Sequence, residues 1–258
     1  MNILEIKGLT KNFGGLAATS NVDINIPKNS ITAVIGPNGA GKTTVFNMVT
    51  GVYKPTSGDI LLNGEPITGL KPHAVTKKGI ARTFQNIRLF ESLTVMENVL
   101  IGMHSHLKSR FFSIICQLPG MKKEEKEAEI EAYELLKYVG LAKLLNETAG
   151  SLPYGAQRRL EIARALAARP KLLLLDEPAA GMNPKETKEL TNLIRHMCDE
   201  RNLTVVLIDH DMKLVMEISN HIVVLDHGEK IAEGNPVAIR SNPRVVEAYL
   251  GKGALAYA

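Results

Sequence analysis

Short apolar segments separated by turn residues fill the first third of the chain. Alternating apolar and polar positions, and one mainly apolar segment, predict four strands, over Asn2 to Ile6, Ser20 to Ile26, Ile31 to Ile35 and Ile60 to Leu62. Asn63-Gly64 predicts a two-residue hairpin of the I′ kind, returning through Pro66-Ile67-Thr68. A short helix is expected over Lys71 to Lys78. The first third therefore reads as a largely β region.

The middle of the chain has a helical pattern instead. Apolar residues recur at helical spacing between Ser92 and Asn146, in the order Ala128, Ala132, Leu135, Leu136 and Val139. A charged face opens this helix at Lys122-Lys123-Glu124-Glu125-Lys126. We interpret approximately residues 92–160 as an all-helical subdomain inserted into the rest of the fold.

From Lys171 onward strands and helices alternate, which is typical of an α/β fold. The predicted order is a strand over Leu172 to Leu175, a helix near Lys185 to Glu200, a strand over Thr204 to Ile208, a helix over Met212 to Ile218, and a hairpin of Ile222 to Leu225 with Lys230 to Ala232 that turns at His227-Gly228. No internal repeat or low-complexity linker divides the chain. We expect one domain over residues 1–258, with two lobes.

The composition is typical of a globular α/β protein and does not indicate a particular function. The 258 residues are 45% hydrophobic, enough for one large α/β core. No apolar run approaches the ~20 residues that span a bilayer, and Met1 to Lys7 lacks a signal-peptide pattern, so we expect a chain that stays in the cytosol. Cys116 and Cys198 have neither metal-ligand spacing nor a disulfide framework. A formal charge of +4 suits phosphate handling or an anionic membrane face but decides nothing.

The run Gly-Pro-Asn-Gly-Ala-Gly-Lys-Thr-Thr, residues 36–44, has the spacing of a phosphate-binding loop. It follows a predicted buried strand and precedes Thr44 to Thr50, which can open a helix. Its glycines let backbone N–H groups turn toward phosphate oxygens, and the helix N-terminus adds partial positive charge. Lys42 can reach the β- and γ-phosphates, and the Thr43 hydroxyl can contact Mg²⁺. The candidate phosphate-binding residues are Gly36, Asn38, Gly39, Ala40, Gly41, Lys42, Thr43 and Thr44.

A second run, Leu172-Leu173-Leu174-Leu175-Asp176-Glu177-Pro178, ends in two carboxylates. The strand before them is too apolar to be exposed, so the carboxylates lie at the end of a buried strand. Beside a phosphate-binding loop, one carboxylate can serve a metal and the other a water molecule. Together the two runs predict hydrolysis of a nucleoside triphosphate.

Five elements in a fixed order make the chain resemble the ATP-binding subunit of an ABC transporter along essentially its whole length. The four besides the phosphate-binding loop are Arg82-Thr83-Phe84-Gln85-Asn86 (the glutamine loop), Leu152 to Leu166 (the signature and its helix), Ala180 to Pro184 (the loop after the carboxylates) and Ile208-Asp209-His210-Asp211 (the switch histidine). The resemblance implies a P-loop NTPase fold with a RecA-like core, an N-terminal antiparallel β subdomain and an inserted α-helical subdomain. It also implies ATP and Mg²⁺ as the ligands.

The resemblance assigns roles to individual residues. Phe13 is expected to stack on the adenine, because its aromatic face can cover the π surface of the base. Asp176 is expected to bind Mg²⁺ through water, and Glu177 to be the general base that polarises the attacking water. The Gln85 amide can contact the metal or that water. His210 follows a strand at the edge where parallel sheets bind ligands, and can hydrogen-bond the γ-phosphate.

The signature departs from the family pattern. Where the family usually has Leu-Ser-Gly-Gly-Gln, this chain has Leu152-Pro153-Tyr154-Gly155-Ala156. Pro153 has neither the serine hydroxyl nor a backbone N–H, while Gly155 keeps one backbone donor. In this family ATP lies between the phosphate-binding loop of one subunit and the signature of the other. We therefore expect a weaker site where this signature is used, and a heterodimer with a different ATP-binding subunit rather than a homodimer.

Several details resemble the ATP-binding subunits of branched-chain amino acid importers. They are Phe13-Gly14-Gly15-Leu16, residues 82–90, the segment around Tyr154-Gly155, and Asn242-Pro243 through Ala248-Tyr249-Leu250-Gly251. The resemblance implies two transmembrane permease partners, a periplasmic or extracellular solute-binding protein reached indirectly, and no nucleic acid. It places the chain peripherally on the cytoplasmic face of the inner or plasma membrane. The transported solute rests wholly on this likeness.

Other functions stay open at this point. The chain could serve a lipid or lipopolysaccharide exporter, or a urea or amide importer, since their ATPases share much of the pattern. A non-transport ABC ATPase usually has two cassettes or long coiled-coil inserts, and a GTP switch would need an Asn-Lys-x-Asp motif; the chain has none of these. The apolar residues Phe111, Phe112, Ile114 and Ile115 could pack on a membrane partner or inside the lobe. The histidines other than His210, His227 among them, need only surface or packing roles.

Overall fold

The computed structural model describes residues 1–105 and 119–250, with side chains for 1–104 and 125–249. The apolar residues Phe111, Phe112, Ile114 and Ile115, together with Cys116, lie outside the described residues. Lys122 to Glu124 of the predicted charged face lie outside the ranges whose side chains are described.

The N-terminal region forms an antiparallel sheet, as the alternation predicts. Its strands are β1 (Asn2–Phe13), β2 (Leu16–Pro27), β4 (Ser57–Leu62) and β5 (Glu65–Pro66), in the order β2-β1-β4-β5. Asn63 and Gly64 have φ angles of 51° and 81°, which confirms the predicted hairpin turn. β1 and β2 are longer than predicted because register shifts, such as the one between Ile6 and Leu9, interrupt the alternation.

A second sheet of six strands forms the centre of the molecule. It contains β3 (Ile31–Ile35), β6 (Ile80–Arg82), β7 (Leu172–Asp176), β8 (Thr204–Ile208), β9 (His221–Asp226) and β10 (Glu229–Gly234), in the order β10-β9-β3-β8-β7-β6. All neighbours pair in parallel except β9 and β10. Every residue of β3, β7 and β8 is buried, which explains why these strands are mainly apolar and do not alternate. The parallel arrangement brings the ends of these strands to one edge of the sheet.

The helices of the described residues agree with the prediction within a few positions where one was made. They are α1 (Lys42–Val49), α2 (Pro72–Lys78), α3 (Val95–Gly102), α4 (Pro119–Tyr138), α5 (Tyr154–Ala167), α6 (Pro184–Arg201), α7 (Met212–Ile218), α8 (Pro236–Arg240) and α9 (Pro243–Leu250). The described residues also include 3₁₀ turns at Met103–Ser105, Ala142–Leu144 and Ala149–Ser151.

The central sheet is covered on both faces. Val34, Val206 and Ile208 point to the face shared with α1 and the antiparallel sheet, and Phe46 of α1 is buried there. The opposite face packs against α5 to α9 in a separate apolar cluster. α1 therefore lies between the two sheets, so the segment that joins it to β3 is held at the edge of the central sheet.

A helical lobe built on α3, α4 and α5 stands beside the sheets. The five apolar residues predicted to form one face of α4 and its end are all buried: Ala128, Ala132, Leu135, Leu136 and Val139. Thr94 and Glu97 form a capping box that fixes the start of α3. The exposed ion pair of Arg169 with Glu131 connects this lobe to the chain that leads into β7.

Candidate active site

The phosphate-binding loop joins β3 to α1 and depends on glycine at two points. A Cβ atom on Gly36 would lie 2.0 Å from the carbonyl oxygen of Leu225, and one on Gly41 would lie 2.6 Å from that of Ala18. Gly41 also has φ 95°, in the left-handed region that favours glycine. Larger residues therefore cannot replace either glycine without moving the backbone that surrounds the loop.

A cavity of about 490 Å³ lies over this loop. Nine of the residues predicted from the sequence line it: Asn38, Gly39, Ala40, Gly41, Lys42, Thr43, Thr44, Gln85 and Glu177. The other lining residues are Leu16, Ala17, Ala18, Ile208 and His227. Residues as far apart in the chain as Leu16 and His227 thus meet at the edge of the central sheet, where parallel sheets bind their ligands.

The predicted site residues that do not line the cavity lie on several elements. Gly36 begins the loop, and Asp176 is buried at the end of β7. His210 follows β8 and lies beside Glu177, with 3.7 Å between Nδ1 and Oε1. Gly155 lies in the first turn of α5. Phe13 ends β1.

Lys42 rests against the loop itself. Its ammonium donates hydrogen bonds to the carbonyl oxygens of Gly36 at 2.7 Å and Pro37 at 2.9 Å. Burial lowers the pKa of the Lys42 side chain, while the Glu177 and Asp176 carboxylates act in the opposite direction. The lysine is thus held within the loop and within the electrostatic field of both carboxylates.

Glu177 occupies a strained position beside the cavity. Its φ is 45°, unusual for a residue with a side chain, and its N–H donates to the carbonyl oxygen of Ile208 at 2.8 Å. The side-chain amide of Gln85 donates to Glu177 Oε2 at 3.0 Å. His210 lies near the other carboxylate oxygen, so the two oxygens of Glu177 face Gln85 and His210. The sequence predicts roles for all three side chains in ATP hydrolysis.

Two carboxylates flank the switch histidine in the chain, Asp209 before it and Asp211 after it. Asp209 is buried, its Oδ1 accepts the Asp211 N–H at 2.9 Å, and burial raises the pKa of its carboxyl above the ordinary value. Asp211 in turn caps α7, accepting from the N–H groups of Lys213 and Leu214. These two carboxylates fix the backbone on both sides of His210, whose own side chain is largely exposed.

The glutamine loop is fastened to the signature helix by a buried ion pair that the sequence analysis did not identify. Arg158 donates to Glu161 at 2.9 Å and to the carbonyl oxygens of Phe84 and Gln85 at 2.7 and 2.8 Å. Glu161 accepts from the N–H groups of Phe84 and Arg88. Both side chains are essentially inaccessible, at 0% and 2% exposure. The backbone of Gln85 is therefore positioned by α5.

The unusual signature begins α5. Pro153 is the N-cap and provides no side-chain hydrogen bond. The half-exposed Tyr154 ring approaches Gly181, with its Cε1 atom 3.2 Å from the Cβ position of that glycine, and its hydroxyl lies 3.3 Å from Arg158. The Glu186 side chain lies close to Gly155, with its Oε1 atom 2.6 Å from where a Cβ on that glycine would lie. The signature and the loop after the carboxylates are thus packed together.

Phe13 is 43% exposed, outside the cavity lining. Its ring meets Tyr53 edge-on, with centroids 5.3 Å apart, and the Lys11 ammonium lies 5.0 Å from its centroid. The ring is thus partly exposed beside an aromatic neighbour that no sequence pattern pairs with it.

His227 is the histidine that the sequence analysis missed. It occupies the turn between β9 and β10 and lines the cavity. Hydrogen bonds hold this turn against the loop, since the Gly228 N–H donates to the Ala40 carbonyl at 3.2 Å and the Ser20 N–H donates to the Gly228 carbonyl at 2.8 Å. The predicted turn at His227-Gly228 marked the position, but no motif related it to the distant loop.

The donor set fits a triphosphate with a hard cation. The Thr43 hydroxyl, the Asp176 carboxylate and the Gln85 amide oxygen are the oxygen ligands that Mg²⁺ prefers. Among residues 1–105 and 119–250, no group of three His, Cys, Asp or Glu side chains could hold a metal alone. Phosphate oxygens and water would therefore complete the coordination shell of a cation at this site, since Mg²⁺ usually takes only a few ligands from protein side chains.

The phosphate-binding loop follows β3, and the carboxylate pair lies at the end of β7, which is separated from β3 by β8 alone. This arrangement defines a P-loop nucleoside triphosphatase. The ABC transporter family matches residues 19–180 of the chain, and the family described as branched-chain amino acid ATP-binding cassette transporter matches residues 229–254. The chain belongs to the ABC transporter family, as an ATP-binding subunit that hydrolyses ATP.

Two bacterial transport ATP-binding proteins resemble the chain over nearly its full length. The high-affinity branched-chain amino acid transport ATP-binding protein BraF of Pseudomonas aeruginosa is 52% identical over 250 residues, 97% of this chain and 98% of that protein. The corresponding protein LivG of Escherichia coli is 48% identical over 250 residues, which again cover 97% of this chain and 98% of that protein. These likenesses confirm the sequence-based family assignment.

The fold is confirmed by solved structures. A nucleotide-free ATP-binding cassette from an ABC transporter superposes with a TM-score of 0.85 at 33% identity, covering 98% of this chain and 100% of that one. The ADP conformation of an ATP-binding cassette gives the same TM-score at 34% identity, with the same coverage. Within the described residues, no helix is both long enough and apolar enough to cross a bilayer.

Proposed function

We propose that this chain energises the import of branched-chain amino acids by hydrolysing ATP at the cavity over residues 36–44. The observation that carries the proposal is the meeting of the phosphate-binding loop, Gln85 and Glu177 around one cavity in a chain of this family. The solute is supported by the names of the relatives that match nearly end to end and by the C-terminal match over residues 229–254.

We propose that Glu177 is the general base of the reaction. Its carboxylate borders the cavity, and Gln85 and His210 lie near its two oxygens, so a water molecule that donates to it would be oriented by three polar groups. His210 is exposed enough to contact a γ-phosphate, and Lys42 can move from the loop carbonyls to the β- and γ-phosphates. Phe13 offers its exposed ring to the adenine.

Mg²⁺ bound by Thr43, Asp176 and Gln85 would neutralise charge on the phosphate oxygens. Thr43 supplies a hydroxyl from the start of α1, and Asp176 a carboxylate from the end of β7. The loop N–H groups and the α1 N-terminus stabilise the remaining negative charge. The chain's contribution is thus positioning and electrostatic stabilisation, which is what phosphoryl transfer requires.

We further infer the partners of the chain. Two transmembrane permease subunits would receive the motion of the cassette, a second ATP-binding subunit would complete the nucleotide sites, and a periplasmic or extracellular solute-binding protein would act indirectly. The cassette would then lie on the cytoplasmic face of the inner or plasma membrane, without contacting nucleic acid. Lipid export and urea or amide import are the competing functions.

Uptake of labelled solutes tests the proposed import directly. The chain is co-purified with its permease partners, reconstituted in vesicles with the solute-binding protein, and supplied with ATP on its own side. We expect ATP-dependent uptake of leucine, isoleucine and valine, because the complex contains both the chain that hydrolyses ATP and the partners that bind and transport the solute. Uptake of urea or an amide, or movement of lipid, with no uptake of these amino acids would contradict the proposed solute.

The altered signature predicts two unequal nucleotide sites. Restoring serine and glycine by Pro153→Ser with Tyr154→Gly returns a hydroxyl donor and removes the ring that packs near Gly181. If a different subunit supplies the second signature, the complex of the restored chain should hydrolyse ATP faster than the wild-type complex, by about two- to tenfold for one recovered hydrogen bond. An unchanged ATPase rate in the assembled complex would count against the unequal sites.

A further inference from the structure

Arg82 is a buried arginine outside the cavity lining. It ends β6, one strand beyond the carboxylates, and its side chain is 7% exposed. One guanidinium nitrogen donates to Asp176 Oδ2 at 2.7 Å, and another donates to the side-chain oxygen of Asn47 at 2.6 Å. Asp176 is equally buried, so this is a desolvated ion pair rather than a surface contact.

Two aromatic rings lie close to this guanidinium. Its central carbon lies 5.6 Å from the centroid of Phe46 and 5.2 Å from that of Phe84. Such contacts stabilise an arginine that is removed from water. The side chain is therefore held in position by contacts on several sides.

The two acceptors of Arg82 belong to the two elements that supply the proposed metal ligands. Asn47 lies on α1, four residues after Thr43, and Asp176 ends β7. The bond from Arg82 engages Oδ2, one of the two carboxylate oxygens of Asp176. A single rigid fork thus links the helix that carries the hydroxyl to the strand that carries the carboxylate.

We propose that Arg82 is a positioning residue that holds the Asp176 carboxylate in a fixed orientation relative to Thr43 and thereby sets the affinity of the nucleotide site for its divalent cation. The inference rests on the proposed binding of Mg²⁺ with ATP. Partners that orient a metal-binding carboxylate commonly change metal affinity by about 10- to 100-fold when they are lost. Arginine suits the role, because its planar fork donates in two fixed directions, whereas lysine presents a single flexible ammonium.

Two variants separate positioning from simple structural support. Arg82→Lys keeps the charge beside Asp176 but loses the two-directional fork. Asn47→Ala removes the α1 end of the bridge and leaves the ion pair with Asp176 intact. Both are compared with the wild-type chain by titrating a fluorescent ATP analogue with and without EDTA, across a range of Mg²⁺ concentrations. Direct binding of Mn²⁺, followed by its paramagnetic resonance signal, gives a readout that does not depend on turnover.

We expect the Arg82→Lys protein to need at least about tenfold more Mg²⁺, or Mn²⁺, for half-maximal cation binding to the nucleotide complex. Asn47→Ala should shift the same midpoint by a smaller factor. In EDTA both should bind the analogue within about twofold of wild type, since Arg82 contacts neither the loop nor the cavity.

Thermal unfolding of each variant completes the test. Variants that melt earlier yet keep the wild-type cation midpoint would overturn the proposal, because Arg82 would then serve stability alone. If Arg82→Lys cannot be obtained folded, an unshifted midpoint in Asn47→Ala overturns it in the same way. A wild-type chain that fails to bind the analogue would instead contradict the proposed function, so the two failures are distinguishable.

Discussion

The Glu177→Gln protein is expected to bind ATP with Mg²⁺ and to hydrolyse it about 10²- to 10⁴-fold more slowly than wild type. Glutamine has nearly the same shape as glutamate and can keep the contact with Gln85, but it cannot accept a proton from water. The phosphate-binding loop is untouched by the change, so binding should persist. The measurement is steady-state release of phosphate by the assembled complex, together with equilibrium binding of ATP.

Glu189→Gln provides a matched control. Glu189 lies on α6, is half-exposed and pairs with Arg159 at 3.4 Å, away from the cavity. The same loss of one negative charge there should leave phosphate release within about twofold of wild type, because exposed ion pairs contribute little. Near-normal turnover in the Glu177→Gln protein would remove Glu177 from the role of general base.

Arg158→Ala is expected to lower the free energy of unfolding by about 3–5 kcal/mol. The substitution leaves the Glu161 carboxylate buried and unpaired, and it removes the donors of the Phe84 and Gln85 carbonyl oxygens. Since whole domains are stabilised by only about 5–15 kcal/mol, the loss is a large share of the total. Urea unfolding followed by far-UV circular dichroism measures it, as the chain has no tryptophan.

Arg159→Ala, on the same helix, is the control for this loss. The Arg159 side chain is 30% exposed and its bond to Glu189 is long, so the expected cost is below about 1 kcal/mol. Replacing the pair together, by Arg158→Met with Glu161→Leu, should recover part of the stability because no buried charge is left alone. Equal losses in Arg158→Ala and Arg159→Ala would show that the buried pair does not anchor the glutamine loop.

The sequence predicted the elements whose patterns are local. The buried strands β3, β7 and β8 and the phosphate-binding loop each carry their signal within a few consecutive residues, so they were placed nearly to the residue. β6 was missed because three residues are too few to show a period. The helices α8 and α9 were also not predicted, since short segments that begin at Pro236 and Pro243 show little helical repetition.

The contacts that support the site could not be predicted from the sequence. Arg82 meets Asp176 across 94 residues of chain, and Arg158 meets the Gln85 carbonyl across 73. Neither spacing is a motif, because the pairing depends on which strands lie side by side and how the helical lobe folds back. His227 joins the cavity for the same reason, as its turn is placed by hydrogen bonds to residues 20 and 40.

Calorimetric titration of the Glu177→Gln protein with ATP and Mg²⁺, beside AMP as a reference ligand, tests the central claim most directly, since turnover is then suppressed during the measurement. We expect saturable binding of one ATP per chain, at least about tenfold tighter than AMP, because AMP lacks the phosphates that Lys42 and the loop N–H groups would hold. No saturable binding of ATP, or equal affinity for AMP, would contradict a triphosphate site at residues 36–44.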